Sequence, residues 1–189
     1  MPRSKRDPPA DLPDFQNPRR LPFAPLRTPG HLPHLEKLGG SYFVTFILAD
    51  AVARHAHRRA QTEDLAPDGV ARSTEPEPSA GSLVLADRGP ASIVEDCLLH
   101  FQETRYLLHA WCVMPNHVHA VVTPLPGWTL ARIIRDWKSF SAHAVNRETG
   151  RRGPLWQRDW FDHLIRSAEG FERFVAYTEQ NPVAVGLCR

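Results

Sequence analysis

Apolar positions along this chain change period in a regular succession. After Gly39-Gly40, the run Ser41–Leu48 is β-branched and aromatic almost throughout and predicts a first strand. Ile93, Val94, Cys97, Leu98 and Phe101 recur at i, i+3/i+4 spacing and predict a helix over Pro90–Phe101. Tyr106–Val113 and His117–Thr123 read as two strands of an antiparallel hairpin, with Met114-Pro115-Asn116 as the turn. The helical period returns over Thr129–Asn146, with Leu130, Ile133, Ile134, Trp137 and Phe140 on one face. A turn at Gly150–Pro154 leads into Leu155–Arg166, which holds an aromatic-rich fourth strand. Ser167 offers an N-cap with Glu169 in the first turn, opening a third helix that runs to about Gln180 and is stopped by Asn181-Pro182. Strand, helix, strand, strand, helix, strand is the order of a ferredoxin-like antiparallel sheet, a split βαβ of the α+β class with helices on one face. The third helix is an addition at the C-terminal end.

Two stretches fall outside this pattern. Residues 1–39 carry nine prolines among their arginines and predict an extended arm that forms neither a helix nor an inner strand. Gln61–Ser82 is a polar run of Glu, Asp, Pro, Ser and Gly, and Ala51–Ala60 reads as a short helix at most. About 50–86 is therefore expected to be a mobile insertion in a single domain over 40–189. A composition of 42% hydrophobic and 23% charged residues is that of an ordinary globular chain, and a net charge of +2 singles out no class of partner. Positive charge is nearly all arginine, with lysine only at 5, 37 and 138. Three cysteines without C-x-x-C spacing indicate neither a disulfide framework nor a thiolate zinc site. No apolar run approaches the length of a membrane span, and the N-terminus lacks the apolar core of a secretory signal, so a cytoplasmic protein is expected.

Candidate chemistry starts with His117-Val118-His119. Strand residues at i and i+2 share a face, so two imidazoles stand side by side while Val118, Ala120 and Val122 pack on the other. Two neutral imidazoles are two-thirds of a metal site; equally, they are what sheet histidines bonded to backbone look like. On the third helix, Phe171, Phe174, Val175 and Thr178 form an apolar stripe. Tyr177 sits at its edge and Asn181 one turn further on the same side. A rim tyrosine holds its ring on the core and its hydroxyl outside, a pose suited to a nucleophile and also to a plain core tyrosine. Arg132, Arg135 and Lys138 recur on the polar side of the second helix, and Arg147, Arg151, Arg152 and Arg158 cluster about the next turn. With Trp128, Trp156 and Trp160 they read as a phosphate track with stacking platforms for single-stranded DNA, or as solvated charge around core tryptophans.

These pieces stand in a fixed order: Met114-Pro115-Asn116-His117-Val118-His119, Gly153-Pro154-Leu155-Trp156-Gln157-Arg158, Phe161-Asp162-His163-Leu164-Ile165-Arg166, and Tyr177-Thr178-Glu179-Gln180-Asn181-Pro182. As a set they resemble the successive motifs of the REP-associated tyrosine transposases, single-tyrosine members of the HUH (His-hydrophobic-His) nucleases related to transposases of small insertion sequences. The resemblance covers roughly residues 20–187. It implies that His117 and His119 are the HUH pair, that Asn181 completes a magnesium or manganese site, and that Tyr177 attacks the scissile phosphate. It also implies a single-stranded or hairpin DNA partner and a metal-dependent endonuclease and strand transferase acting through a 5′-phosphotyrosine at palindromic repeats. Imidazole ligands make manganese the easier metal. His163 and Asp162 stand as candidates for a general base or as a structural pair. The competing readings are a domesticated hairpin-binding protein that does not cut and a metal hydrolase that uses water; the chain is expected to act as a monomer or homodimer. Departures from the family pattern are the 50–86 insertion and the end of the chain shortly after the Asn-Pro motif.

Overall fold

The computed structural model describes residues 37, 39–51, 81–184 and 186–187. The expected arm, apart from Lys37 and Gly39, and residues 52–80 of the expected insertion with its short helix lie outside the described residues. The elements follow in the order β1 (Ser41–Ile47), a 3-10 turn (Val84–Ala86), α1 (Arg88–Leu99), β2 (Tyr106–Met114), β3 (His117–Pro124), α2 (Leu130–Thr149), β4 (Phe161–Ile165) and α3 (Ala168–Ala184). The four strands form one antiparallel sheet in the order β2-β3-β1-β4, which is the split βαβ arrangement, with the two centre strands β1 and β3 adjacent.

Alternation along the strands sends side chains to two different layers. Tyr42, Val44 and Phe46 of β1 and Val118, Ala120 and Val122 of β3 face α1 and α2, where Val94, Leu98, Leu130, Ile133, Ile134 and Trp137 close the main core. Phe43, Ala110, Val121 and Ile165 face the other way, against Phe171, Phe174, Val175 and Tyr177 of α3. Both faces of the centre strands are therefore covered, and β1 and β3 are buried along their whole length. Such strands read as continuous apolar runs.

In β2 the register with β3 shifts between Leu108 and Ala110, leaving His109 as the bulged residue. The bulge exchanges which positions face which layer: Leu108 belongs to the main core and Ala110 to the α3 layer. Beyond it, Cys112 pairs with His119 and Met114 with His117.

Three local expectations need correction. Phe140 is 59% exposed rather than on the apolar face of α2. Its slot is taken by Ser141, whose hydroxyl donates to the Trp137 carbonyl at 2.6 Å and accepts from Trp156 Nε1 at 2.9 Å. A tryptophan brought into the core needs an acceptor for its N–H, and serine supplies one where phenylalanine has none. Helix α3 does not stop before Asn181 but runs to Ala184 with Pro182 inside it. Proline's fixed φ is itself helical, and at the last turn the single N–H it lacks is a small loss. The end of the expected insertion is also built in from Gly81 onward: Leu85 is 3% exposed and its N–H donates to the Pro115 carbonyl at 3.1 Å, bracing the hairpin turn. The cap at Ser167 holds as expected, its Oγ accepting from Gly170 N–H, and Thr129 precedes α2 as a second cap, its Oγ1 accepting from Arg132 N–H. Gly150, at φ +68°, ends α2 in the left-handed conformation that favours glycine.

Candidate metal and nucleophile site

His117 and His119 lie at the start of β3, on the layer facing α3, and are 3% and 2% exposed. Their Nε2 atoms approach to 3.0 Å, with the rings at 74°. Each ring is held at its other nitrogen. His117 Nδ1 is 2.8 Å from Asn116 Oδ1, an oxygen that only accepts, so Nδ1 carries the proton and Nε2 keeps its lone pair. His119 Nδ1 is 2.7 Å from Thr45 Oγ1 on β1, its direct cross-strand neighbour. Phe43 stacks on the His119 ring at 5.4 Å and 29°. Burial pushes the His117 imidazole down to about 4, and burial together with the neighbouring His117 charge pushes His119 well below its ordinary value. Both rings are consequently neutral at neutral pH, the state in which imidazole binds a metal.

Helix α3 lies along this face in a readable register. Phe171 meets the bulged His109 edge-on at 4.8 Å, Phe174 stacks on Phe43 at 4.8 Å and lies 5.1 Å from His163, and Tyr177 meets His119 edge-on at 5.6 Å. Tyr177 also packs against Phe43 at 5.9 Å and is half-buried. One more helical turn, about 5.4 Å, leads from Tyr177 to Asn181. Two residues of strand, about 6.6 Å, lead from His119 to His117. Asn181 therefore lies one turn beyond Tyr177, towards the His117 end of β3. It is 6% exposed, and its Oδ1 is buried without a hydrogen-bond partner.

This donor set fits a divalent cation of magnesium or manganese type. Two cis ligands of an octahedron with bonds of about 2.1 Å stand about 3.0 Å apart, which is the spacing of the two Nε2 atoms. Among the described residues no three His, Cys, Asp or Glu side chains cluster to hold a metal. Asn181 Oδ1 is a buried acceptor without a hydrogen-bond partner, so an amide oxygen is available as a third donor. Sequence reasoning brought His117, His119, Tyr177 and Asn181 forward; the fold brings His117, His119 and Tyr177 together, and Asn181 is buried one turn beyond Tyr177 on α3. It missed Thr45, Asn116 and Phe43, which fix the imidazoles; the only sequence signal for them is adjacency, Asn116 before His117 and Phe43 and Thr45 on the strand that pairs with β3.

The basic residues lie elsewhere. Arg132, Arg135 and Lys138 sit on α2, on the opposite side of the sheet from the imidazoles. Arg132 lies over the Trp128 ring at 4.2 Å, and Arg105, sandwiched between Phe101 and Trp128, pairs with Asp136 at 3.1 Å. Arg135 also reaches Asp136, at 3.5 Å. Lys138 Nζ donates to the carbonyls of Arg158 and Asp159 at 2.8 and 3.2 Å, tying α2 to the segment before β4; burial pushes its ammonium down to about 8. Arg151 contacts Ser82 and Asp50, while Arg152 and Arg158 are exposed. His163 leans on Phe174, and strand alternation turns Asp162 to the other side.

Residues 94–181, the stretch from α1 to Asn181, match the family described as Transposase IS200 like. A REP-associated tyrosine transposase of Escherichia coli is 30% identical over 81 residues, 42% of this chain and 46% of that protein. An uncharacterized protein of Haemophilus influenzae is 22% identical over 111 residues, 47% of this chain and 60% of that one. The chain thus spans about half the length of the curated relatives it matches. Among solved structures, a REP-associated tyrosine transposase bound to a REP hairpin shares the fold at 19% identity, with a TM-score of 0.55 over 84% of this chain and 76% of that one. The stretch from α1 to Asn181 is thus similar to the IS200-like transposases, and the chain resembles a REP-associated tyrosine transposase in sequence over part of its length and in fold.

Proposed function

We propose that the chain is a metal-dependent single-stranded DNA endonuclease and strand transferase that cuts at palindromic repeat hairpins through a 5′-phosphotyrosine on Tyr177. The observation that carries this reading is the meeting of Tyr177 with His119 across the α3 layer, beside two Nε2 atoms aimed at each other. The REP hairpin bound to the structural relative supports the choice of DNA substrate.

His117, His119 and Asn181 would hold the cation, magnesium or manganese. When bound, it polarises a non-bridging phosphoryl oxygen and neutralises charge that builds during attack. The chain's own residues do the rest. Tyr177 supplies the phenol oxygen, which loses its proton and attacks phosphorus; the new O–P bond forms as the P–O3′ bond breaks, and the departing oxygen takes up a proton to become a 3′-hydroxyl. One phosphodiester is exchanged for another, so the reverse attack by a 3′-hydroxyl rejoins DNA without added energy. Phe43, itself stacked by Phe174, packs against the tyrosine ring on the face of the sheet where the imidazoles stand. A phenol with an ordinary value near 10 is mostly protonated at neutral pH, so attack depends on a nearby proton acceptor.

The test is incubation of the protein with a labelled single-stranded hairpin and Mn²⁺. A covalent protein–DNA adduct that disappears in Tyr177→Phe while hairpin binding persists is the expected result. Binding without any adduct would replace this reading with a non-cleaving hairpin-binding protein, and cleavage that survives Tyr177→Phe would replace it with water-based hydrolysis.

A further inference from the structure

Resting on the cation site just proposed, we infer that Thr45 is a positioning residue that serves His119 in either tautomer and thereby lets the imidazole pair exchange between a closed and a cation-ready state. Thr45 Oγ1 lies 2.7 Å from His119 Nδ1, is 2% exposed, and belongs to β1, outside the stretch that matches the family. The partner of the other imidazole is a different kind of group. Asn116 Oδ1 can only accept, which fixes His117 with its proton on Nδ1 and its lone pair on Nε2. Threonine's hydroxyl both donates and accepts, so it satisfies His119 in either tautomer.

Two arrangements follow. In the first, the Thr45 hydroxyl donates to His119 Nδ1, and His119 Nε2–H donates across the 3.0 Å gap to His117 Nε2. Every polar atom of the pair is then paired with no cation present, and a buried imidazole pair needs such a state. In the second, the hydroxyl rotates, His119 Nδ1–H donates to Thr45 Oγ1, and both Nε2 lone pairs converge on one point. The exchange moves one proton between the two nitrogens of a single ring and leaves the net charge unchanged. Phe43 stacked on the ring and the cross-strand pairing of Thr45 with His119 hold the ring in place through both states. A hydrogen-bonding partner behind a ligating imidazole commonly fixes its orientation and is worth 10–100-fold in metal affinity.

Thr45→Val removes the hydroxyl at nearly constant shape in a strand that favours valine. It removes the acceptor that Thr45 supplies to Nδ1–H in the cation-ready tautomer, while the closed tautomer loses only a donor to a lone pair, the smaller loss. The variant is expected to bind Mn²⁺ about 10–100-fold more weakly by titration calorimetry, and Thr45→Ser to recover most of that loss. In metal-free protein labelled with ¹⁵N at histidine, the His119 nitrogens are expected to report a shared population in the wild type and the Nε2–H form alone in Thr45→Val, with the His117 nitrogens unmoved. Equal Mn²⁺ affinity in wild type and Thr45→Val, or failure of Thr45→Ser to restore it, would overturn the inference and leave the cation site standing. No Mn²⁺ binding by the wild type would instead remove the site on which it rests, and the apo spectra would then decide the tautomer assignment alone.

Discussion

Asn181 gives the sharpest test, because the structure sets stability and metal binding against each other at one atom. Its Oδ1 is buried on α3 without a hydrogen-bond partner. An orphaned buried acceptor costs about 1–3 kcal/mol, and asparagine is a poorer helix former than leucine or alanine by up to about 0.7 kcal/mol. Replacing Asn181 by Leu, of similar length and without the carbonyl, or by Ala, which avoids any overpacking, should therefore stabilise the metal-free protein by about 1–2 kcal/mol. For a chain of this size that is a rise in Tm of about 2–8 °C, measured in EDTA. With Mn²⁺ at about 100 times its Kd the wild type should gain about 2.7 kcal/mol, and the variants nothing, so the order of melting temperatures reverses between the two buffers. Both variants melting below the wild type in EDTA would show that Asn181 contributes packing its contacts do not reveal. An equal Mn²⁺ shift in all three proteins would remove Asn181 from the ligand set.

Two further outcomes test the layers around the site. Burial pushes His109 down to about 4, while the unfolded chain protonates near 6.5; below pH 6.5 the unfolded state binds the extra proton, so stability is complete above that pH and falls as pH drops from 6.5 towards 4. The loss reaches about 3 kcal/mol at most, and His109→Gln should flatten the pH dependence of urea unfolding by up to about 1.4 kcal/mol per pH unit; parallel curves would refute it. In the other layer, Tyr106 Oη donates to the Leu98 carbonyl and accepts from Trp137 Nε1, each at 2.8 Å. Tyr106→Phe strands both groups and should destabilise by about 2–4 kcal/mol in chemical unfolding, a loss below about 1 kcal/mol contradicting the assigned network.

The fold was legible wherever a period was long enough to repeat. Strand β1, the β2–β3 hairpin and the two helices of the main core follow from runs in which every apolar residue has the same job. What misled was a position where two interactions compete. At Phe140 and Ser141 the hydrophobic period favours the phenylalanine, yet the indole N–H of Trp156, fifteen residues beyond Ser141, requires an acceptor inside. At Asn181-Pro182 the rule for residues before proline favours a stop, yet the cost is confined to one turn, and burial of Thr178 and Asn181 holds the helix on the sheet. Local rules set the prior in both places, and a partner distant in sequence decides the outcome.

The same reasoning separates the legible part of the site from the rest. Spacing alone puts His117 and His119 on one face and Tyr177 and Asn181 on one side of a helix, because both periods are properties of a single element. Which nitrogen of His119 points inward is a property of the register between elements. Thr45 reaches His119 only because β1 pairs with β3 in the register Thr45↔His119, and a slip of one residue would present Val44 or Phe46 instead. That register is itself fixed by the apolar side chains on the far face, Tyr42, Val44 and Phe46 against Val122, Ala120 and Val118. The bulge at His109 acts likewise on the edge strand, turning Ala110 rather than a larger residue towards the α3 layer and leaving room for the helix that carries Tyr177. The main core thus aims a site it never touches. Substitutions there, such as Ala120→Val or Phe46→Leu, act on the imidazoles by shifting strand against strand. Their effect on Mn²⁺ affinity should track the displacement of Thr45 from His119 rather than the loss of global stability, and affinities that followed melting temperature alone would refute the coupling.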